Sequence, residues 1–211
     1  MASPSCDCAL CPRLWAFRQD NRGRFPDWHN APVPAFGEDD AGTRLLIVGL
    51  APGLRGANRT GRPFTGDHAG ELLFATLLMF GFAEGRYGRE RDDGLRLTGC
   101  RITNAVRCVP PANKPLPLEV RTCGRFLREE IAALPALRVI VALGTVAHAA
   151  VLAAFDHRAA AFPFAHAARH RPAEGLVLLD SYHCSRQNTN TGRLTPSMFE
   201  AVFATAKVLA G

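Results

Sequence analysis

Residues 137–143 read LRVIVAL, a run of aliphatic and β-branched side chains that is followed by Gly144. A short apolar run of this kind is typical of a strand that is buried on both faces of a parallel sheet. Three other runs have the same character, and they occupy residues 44–50 (RLLIVGL), 101–107 (RITNAVR) and 176–182 (LVLLDSY). The sequence therefore predicts four buried strands.

Helical patterns lie between and around these strands. Apolar residues recur at helical spacing over residues 13–20, 70–80, 117–134, 145–155 and 196–209. Because strands that alternate with helices form βαβ units, we predict an α/β fold with three layers, αβα, around a central, mostly parallel four-stranded sheet. Ligands of such sheets bind at the carboxyl ends of the strands, and so we expect the site in the loops that follow the four strands.

The length and composition limit the class of protein. The chain has 211 residues, which is typical of a single domain over residues 1–211, and 47% of them are hydrophobic, which is enough for a sizeable core. These values exclude a disordered or fibrous chain. Residues 159–171 are rich in alanine and histidine, and we predict a loop or a frayed helix end there.

The charge and the targeting signals indicate where the protein acts. The formal net charge is +6, which favours an anionic partner such as nucleic acid. No apolar run approaches the roughly 20 residues of a membrane span. The N-terminus has neither the basic region nor the apolar stretch of a signal peptide. We therefore expect a cytoplasmic protein that does not bind membranes.

The loop after the first strand, residues 49–67, is rich in glycine and arginine. Its five glycines allow the backbone to approach a ligand closely, and Arg55, Arg59 and Arg62 suit phosphate groups. The loop matches neither a P-loop nor the G-x-G-x-x-G motif. The alternative to a ligand-binding loop is a flexible crossover, although most long loops of compact domains are functional.

Two polar side chains mark the ends of other predicted strands. His183 follows the fourth strand and can donate a hydrogen bond into a pocket, while Asn104 lies in the second strand and has the donors and acceptor that read the edge of an amide-like base. The alternatives are a histidine that caps a polar turn and an asparagine that satisfies the backbone.

The cysteines indicate a metal site. The chain has an odd number of cysteines, which argues against a disulfide scaffold. The seven lie at positions 6, 8, 11, 100, 108, 123 and 184. Cys8 and Cys11 form a C-x-x-C pair, and together with Cys108 and Cys123 they can close an all-sulfur site for an iron–sulfur cluster or for zinc. Cys6 could replace one ligand, and the alternative is that all are ordinary buried cysteines.

Taken together, these motifs resemble those of the uracil-DNA glycosylase superfamily, most closely its iron–sulfur family 5 branch. Residues 49–53 (GLAPG) are similar to the first motif of that branch, residues 61–67 (GRPFTGD) to the base-stacking segment, and residues 183–188 (HCSRQN) to the second motif, H-P-S-x-x-N. The order and spacing of the four cysteines also resemble those of the family's cluster ligands. The likeness extends from about Cys8 to Phe203.

The resemblance implies a base-excision DNA repair enzyme. Such a hydrolase, a monofunctional uracil-DNA glycosylase, flips uracil out of DNA and cleaves its N-glycosidic bond, which leaves an abasic site. Members of the branch also accept some other deaminated or modified bases. A structural 4Fe-4S cluster is implied on Cys8, Cys11, Cys108 and Cys123, with zinc as the alternative. The expected partner is damaged DNA, the expected enzyme is a monomer, and the expected location is the nucleoid of a bacterium or archaeon.

Roles for individual residues follow from the resemblance and from their chemistry. Asn104 is expected to read the amide edge of the base, and His183 to donate a hydrogen bond to the leaving base. Asp67 is the nearest carboxylate in residues 49–67, the motif loop, and it is expected to orient water or stabilise the sugar cation. The expected base-binding residues are Gly49, Leu50, Ala51, Phe64, Asn104 and His183. The expected DNA contacts are Arg55, Asn58, Arg59, Arg62, Ser185, Arg186, Gln187 and Asn188.

The sequence departs from the superfamily pattern in two places. Leu50 and Ala51 stand where other branches have a Glu or Asp near the attacking water, a feature that family 5 shares. Cys184 stands where proline is usual in the second motif. Two other interpretations remain open. One is a non-catalytic nucleic-acid-binding domain held together by zinc, and the other is a nucleotide-processing α/β enzyme that never meets DNA.

Overall fold

The computed structural model describes residues 3–37 and 41–211, so the predicted domain includes two short pieces outside these ranges. Within them the strands are β1 (Leu45–Gly49), β2 (Ala83–Glu84), β3 (Arg96–Leu97), β4 (Cys100–Asn104), β5 (Val139–Leu143), β6 (Arg169–Ala173) and β7 (Leu176–Ser181). The helices are α1 (Pro12–Arg24), α2 (Ala57–Thr60), α3 (His68–Met79), α4 (Pro117–Ala132), α5 (Thr145–Ala154), α6 (Arg186–Asn190) and α7 (Pro196–Ala210). Among them, none has the length and hydropathy that a bilayer crossing requires.

Five strands form the central sheet, in the order β4-β1-β5-β7-β6. The first four run parallel, and they are the four strands that the apolar runs predict. The predicted α/β class is therefore confirmed, but the predicted number of strands is wrong by one. The additional strand, β6, pairs antiparallel with β7.

β6 lies partly in the segment that the sequence predicts as a loop or frayed helix end. Its residues read RHRPA, and the ladder with β7 is irregular between His170 and Ala173. An edge strand pairs on one side, so it tolerates charged residues and a proline that cannot donate a hydrogen bond. Such a strand lacks the apolar pattern by which the other four are predicted.

Alternate side chains of the parallel strands face two separate cores. Leu45 and Ile47 of β1 pack with the apolar residues of α3 and α7. Leu46 and Val48, one position along, pack with those of α4 and α5. Each fully buried side chain of this size contributes about 1.5–3 kcal/mol. Burial on both faces produces the three layers, and it leaves the carboxyl ends of the strands as the open edge of the sheet.

The predicted helices are all present, with shifted ends. The structure extends the first from the predicted 13–20 to Pro12–Arg24, and it starts α3 at His68 because the side chain of Asp67 accepts a hydrogen bond from the backbone N–H of Ala69. The predicted strand 101–107 ends early, at Asn104. Two short helices, α2 and α6, lie within loops, where no helix was predicted.

A buried ion-pair group joins β4 to α4. Glu130 accepts a hydrogen bond from Nε of Arg101 at 2.7 Å and another from the guanidinium of Arg107. All three side chains are buried. The two buried guanidinium groups, Arg101 on β4 and Arg107 after it, share this one carboxylate. Glu130 is therefore the only acid that neutralises them among the ion pairs of the described residues.

We expect the Glu130→Gln variant to lose about 3–5 kcal/mol of unfolding free energy, because two buried cations lose their carboxylate. Urea unfolding followed by circular dichroism measures the change. Glu129→Gln is the matched control, since Glu129 lies one residue earlier on the same helix and is exposed. Equal midpoints for the two variants would show that the buried ion pairs do not stabilise the fold.

Candidate functional site

The floor of the site is built at the carboxyl ends of β1 and β4. Gly49 and Asn104 are register partners there. A Cβ atom on residue 49 would lie 2.4 Å from Oδ1 of Asn104 and 2.5 Å from Cζ of Phe64. The amide of Asn104 and the ring of Phe64 therefore converge over a backbone that carries no side chain, and three of the predicted base-binding residues lie together.

The amide of Asn104 is available to a ligand. The residue is 3% exposed, and among the described residues its side chain has no hydrogen-bond partner. Its amide atoms are not among the enclosed unpaired atoms of the described chain, so they keep contact with solvent and can pair with a ligand. The arrangement suits a flat group with a complementary donor and acceptor, such as the edge of a pyrimidine base.

Phe64 is held in an unusual backbone conformation. Its φ is 55°, in the left-handed region that residues with a Cβ rarely adopt. The hydroxyl of Tyr87 donates a hydrogen bond to the Phe64 carbonyl at 3.2 Å and accepts one from the Gly66 N–H at 3.3 Å. These bonds fix the turn that places the Phe64 ring, and strained backbone of this kind is concentrated at functional sites.

His183 lies beside Phe64. The two ring centroids are 5.8 Å apart and the planes are nearly parallel, at 25°. Burial lowers the pKa of His183 to about 4, so its imidazole is neutral at pH 7 and carries one N–H donor. The turn is closed by Asn188, whose side chain donates to the His183 carbonyl at 2.8 Å, and by Ser185, which caps α6.

Asp67 lies at the N-cap of α3. Ideal Cβ atoms on Gly53 and Gly56 would lie 3.0 and 2.4 Å from its Oδ2, so glycine at both positions makes room for the carboxylate. Burial raises the pKa of Asp67, against the backbone N–H groups of Gly70 and Ala69, which lower it. Its proton therefore leaves at higher pH than that of an ordinary aspartate.

A groove of about 640 Å³, within the range of ligand sites, opens beside these residues. Leu50, Ala51, Asp67 and His183 line it, whereas Gly49, Phe64 and Asn104 lie behind its lining residues. Sequence reasoning missed several other lining residues. They are His68, Lys114, Phe164, Tyr182 and Arg193. His68 directly follows the loop of residues 49–67, Lys114 follows Pro110 and Pro111 after β4, and Tyr182 directly precedes His183. Phe164 falls in residues 159–171, which the sequence predicts as a loop or frayed helix end.

The predicted DNA contacts divide by exposure. Arg55, Arg186 and Gln187 are exposed, and the last two line the groove. Arg59 is partly exposed and pairs with Glu90 at 2.9 Å. Ser185 also lines the groove, although its hydroxyl caps α6.

Asn58 is not a DNA contact, and that prediction is wrong. The residue is 0% exposed. Its Nδ2 donates to Oδ1 of Asn30 at 2.9 Å, and the Asn30 backbone N–H donates to the Asn58 carbonyl at 3.1 Å. The physical reason is that α2 is anchored to the N-terminal segment, and an asparagine that reaches inward makes that anchor.

Arg62 is likewise buried, at 4% exposure, and the prediction that it binds DNA is wrong. Its guanidinium forms a bidentate pair with Asp93, with N···O distances of 2.8 and 2.6 Å. Desolvation raises the pKa of Asp93, but the hydrogen bonds from Arg62, Gly88 and Leu95 together outweigh it and lower that pKa to about 2. The guanidinium also lies over the ring of Phe36 at 4.9 Å. Arg62 therefore shapes the motif loop from inside.

The four predicted metal ligands come together. Cys8, Cys11, Cys108 and Cys123 surround one small cavity of about 10 Å³, which is bounded by α1, α4 and the segment after β4. Burial raises the pKa of Cys108 to about 12 and that of Cys11 to about 11. A bound cation would offset this, since metals bind the thiolate.

The remaining cysteines also have defined places. Cys6 is exposed, whereas Cys100 and Cys184 are buried in the core. Cys100 is the first residue of β4, and its side chain packs in the core. Cys184 is 0% exposed, so the residue that replaces proline in the second motif points into the protein behind His183.

The spacing of the sulfur atoms tests which group fits. Four thiolates at about 2.3 Å from zinc would lie about 3.8 Å from one another. In the part of the chain that the structure describes, no three cysteine sulfurs lie within 4.8 Å of one another. Hydrogen bonds also reach two of them, from the Arg107 backbone N–H to Cys123 at 3.3 Å and from Arg18 to Cys108 at 3.5 Å. The wider set fits a group larger than one zinc ion.

His148, His170 and Asp180 form another compact group, close enough to hold a metal ion. Asp180 already has two partners, Nδ1 of His148 at 2.8 Å and Nε2 of His170 at 3.1 Å. The other ring nitrogen of His148 lies 2.8 Å from the Phe162 carbonyl. The group therefore ties α5, β6 and β7 together behind the wall of the groove.

Comparison with known proteins gives close relatives. A profile of the Uracil DNA glycosylase superfamily matches residues 36–207. A "Type-5 uracil-DNA glycosylase" of Thermus thermophilus is 50% identical over 210 residues, which cover 97% of this chain and 94% of the relative. Proteins of the same name from Pyrobaculum aerophilum and Mycobacterium bovis are 41% and 42% identical over 97% of this chain, and over 90% and 78% of their own lengths.

We expect Gly49→Ala to lose about 1–3 kcal/mol of stability and to displace Asn104 and Phe64, because the new methyl group has no space. Gly124→Ala is the control: nothing lies within 4 Å of its added Cβ, inside α4, and this change should add about 0.5–1 kcal/mol. Thermal unfolding measures both. A Gly49→Ala protein as stable as wild type would contradict the packing of the pocket floor.

Proposed function

Because this chain belongs to the uracil-DNA glycosylase superfamily, whose members are hydrolases that act on DNA, we propose that it removes uracil from DNA by cleaving the N-glycosidic bond. The observation that carries the assignment of roles is the convergence of Asn104 and Phe64 over the bare backbone of Gly49, with the His183 ring beside Phe64. We propose further that the enzyme acts as a monomer.

Base recognition uses the two groups on the pocket floor. The base stacks on Phe64, and aromatic stacking contributes about 1–3 kcal/mol per base. The side chain of Asn104 pairs with the amide edge of the base, for which it has one acceptor and two donors. Flipping a base out of the duplex costs a few kcal/mol, and these two interactions offset that cost.

Bond cleavage leaves negative charge on the base and positive charge on the sugar. His183 donates a hydrogen bond to the base oxygen where the negative charge develops. It does so as a neutral imidazole, since burial lowers the pKa of His183 to about 4. A neutral donor needs no proton from solvent, and it returns to the same state when the base leaves.

Asp67 acts on the sugar side of the bond. Its carboxylate lines the groove, while Leu50 and Ala51 offer no acid near it. We infer that ionised Asp67 stabilises the oxocarbenium-like sugar and orients the attacking water. Gly53 and Gly56 leave the space in which the carboxylate sits.

The DNA backbone lies along the rim of the groove in this proposal. Arg55 and Arg186 are exposed cations there, and Gln187 is an exposed polar side chain at the start of α6. Cations at phosphates supply affinity and register without reading sequence. Arg186 and Gln187 fill the space that the flipped base leaves in the stack.

We propose that Cys8, Cys11, Cys108 and Cys123 hold a 4Fe-4S cluster with a structural role. The four sulfur atoms surround one cavity, and no three of the described cysteine sulfurs lie as close together as thiolates around one zinc ion, which supports a cluster. When bound, the cluster supplies a covalent link that ties α1 to α4. Purified protein with about four irons and four sulfides per chain, and a brown colour, is the expected result. A colourless protein with one zinc per chain would overturn the assignment.

The function is tested with oligonucleotides that carry a single uracil. We expect Asn104→Ala to release uracil about 10- to 100-fold more slowly than wild type, because the pairing with the base edge is lost. Single-turnover release, with alkaline cleavage of the abasic product, measures the rate. Asn190→Ala, on an exposed residue of α6, is the control and should match wild type.

The same assay separates the other interpretations. Tight binding of the oligonucleotide with no release by wild type would favour a non-catalytic nucleic-acid-binding domain. Turnover of free nucleotides alone would favour a nucleotide-processing enzyme. Parallel substrates with hypoxanthine, xanthine and ethenocytosine test our proposal that the enzyme also accepts other altered bases.

We expect Asp67→Asn to lower the rate about 10²- to 10³-fold at pH 7, because a charge that stabilises the transition state is removed. Asparagine still caps α3, so stability should hold. In wild type the rate should fall as the pH drops through the raised pKa of Asp67, because the carboxylate then loses its charge. The variant should lack this decrease. An unchanged pH profile would mean that another group acts on the sugar.

A further inference from the structure

In the described part of the chain, Arg18 is a buried arginine without a carboxylate partner. It lies on α1 and is 0% exposed. Its guanidinium donates to the Cys8 carbonyl at 2.6 Å and to Sγ of Cys108 at 3.5 Å, and its Nε has no partner among the described residues. A buried guanidinium with neutral partners would cost several kcal/mol.

The other buried arginines are balanced. Arg62 pairs with Asp93, and Arg101 and Arg107 share Glu130. Within residues 3–37 and 41–211, no carboxylate lies within ion-pair distance of Arg18. The anionic groups that its guanidinium can reach are therefore thiolates of the cysteine site.

We propose that Arg18 is the buried counter-ion of the group that the four cysteines hold. This inference rests on the proposed cluster. Four thiolates give the cluster site a negative charge, and the guanidinium offsets it from inside the fold through its hydrogen bond to Cys108. Hydrogen bonds to the sulfurs and nearby charge set the reduction potential of an iron–sulfur centre, and outer partners of ligands govern how firmly a metal is held. Arg18 thus tunes and retains the cluster.

Arg125 provides a matched control on α4. Its charge also reaches Cys11 and Cys123, and lowers the pKa of both thiols. It is exposed, however, and its Nε donates to the Thr122 carbonyl rather than to sulfur. Removal of either arginine subtracts one positive charge near the site, but only Arg18 supplies that charge from the interior and by a hydrogen bond to a ligand.

The experiment compares Arg18→Met, Arg18→Lys, Arg125→Met and wild type as purified holoproteins. Two properties are measured: the reduction potential, by a redox titration followed in the visible spectrum, and the rate at which a chelator bleaches the cluster. We expect Arg18→Met to have a more negative potential, because the lost cation favours the oxidised state. Its bleaching should be about 10- to 100-fold faster. Arg18→Lys should restore the potential towards wild type, and Arg125→Met should change both properties much less than Arg18→Met does, because its charge lies in solvent and makes no hydrogen bond to sulfur.

Equal potentials for Arg18→Met and Arg125→Met would overturn the proposal, since a residue that only packs α1 would not need its charge. If Arg18→Met does not fold, Arg18→Lys and Arg18→Gln carry the test: the lysine retains the charge and the glutamine removes it. The proposed cofactor fails separately, if wild type contains zinc. The proposed reaction fails separately too, if wild type with its cluster releases no uracil.

Discussion

Residue 49 has room for a hydrogen atom and for nothing larger. At that point β1 ends beside β4, and the amide of Asn104 and the ring of Phe64 occupy the space that a Cβ atom on residue 49 would need. The parallel pairing of these two strands fixes Asn104, and the left-handed turn at Phe64 fixes the ring. The proposed recognition surface is therefore a property of the sheet and its first loop, and a preformed surface lowers the ordering cost of binding.

A second constraint concerns where the arginines lie. The chain is basic, and its motif loop has three arginines, yet one of them points inward to Asp93. A bidentate pair beneath the loop holds its shape, while Arg55 on its outer side is exposed, where we propose that it meets phosphate. Arginines that look alike in the sequence therefore differ in burial, and burial separates the structural arginine from the proposed DNA contact.

The sequence predicts most of the architecture because buried parallel strands have a strong apolar signature. It misses β6, whose RHRPA sequence is tolerated at an edge, and it misplaces Asn58 and Arg62, because a polar residue in a glycine-rich loop looks the same whether it faces solvent or the interior. The convergence of Gly49 with Asn104 follows from strand order, and the order of strands is a long-range property that spacing does not encode. The four cysteines could be grouped by type and spacing, because thiolates attract metal irrespective of the fold around them.

The two borders of the sheet have a further consequence. Open strand edges invite pairing with other chains, which leads to aggregation. At one border Phe36 forms an isolated antiparallel bridge to Ile102 of β4, and at the other the irregular β6 presents charged residues and Pro172. Each border resists the addition of another strand, so edge-to-edge pairing between copies of the sheet is disfavoured at both ends.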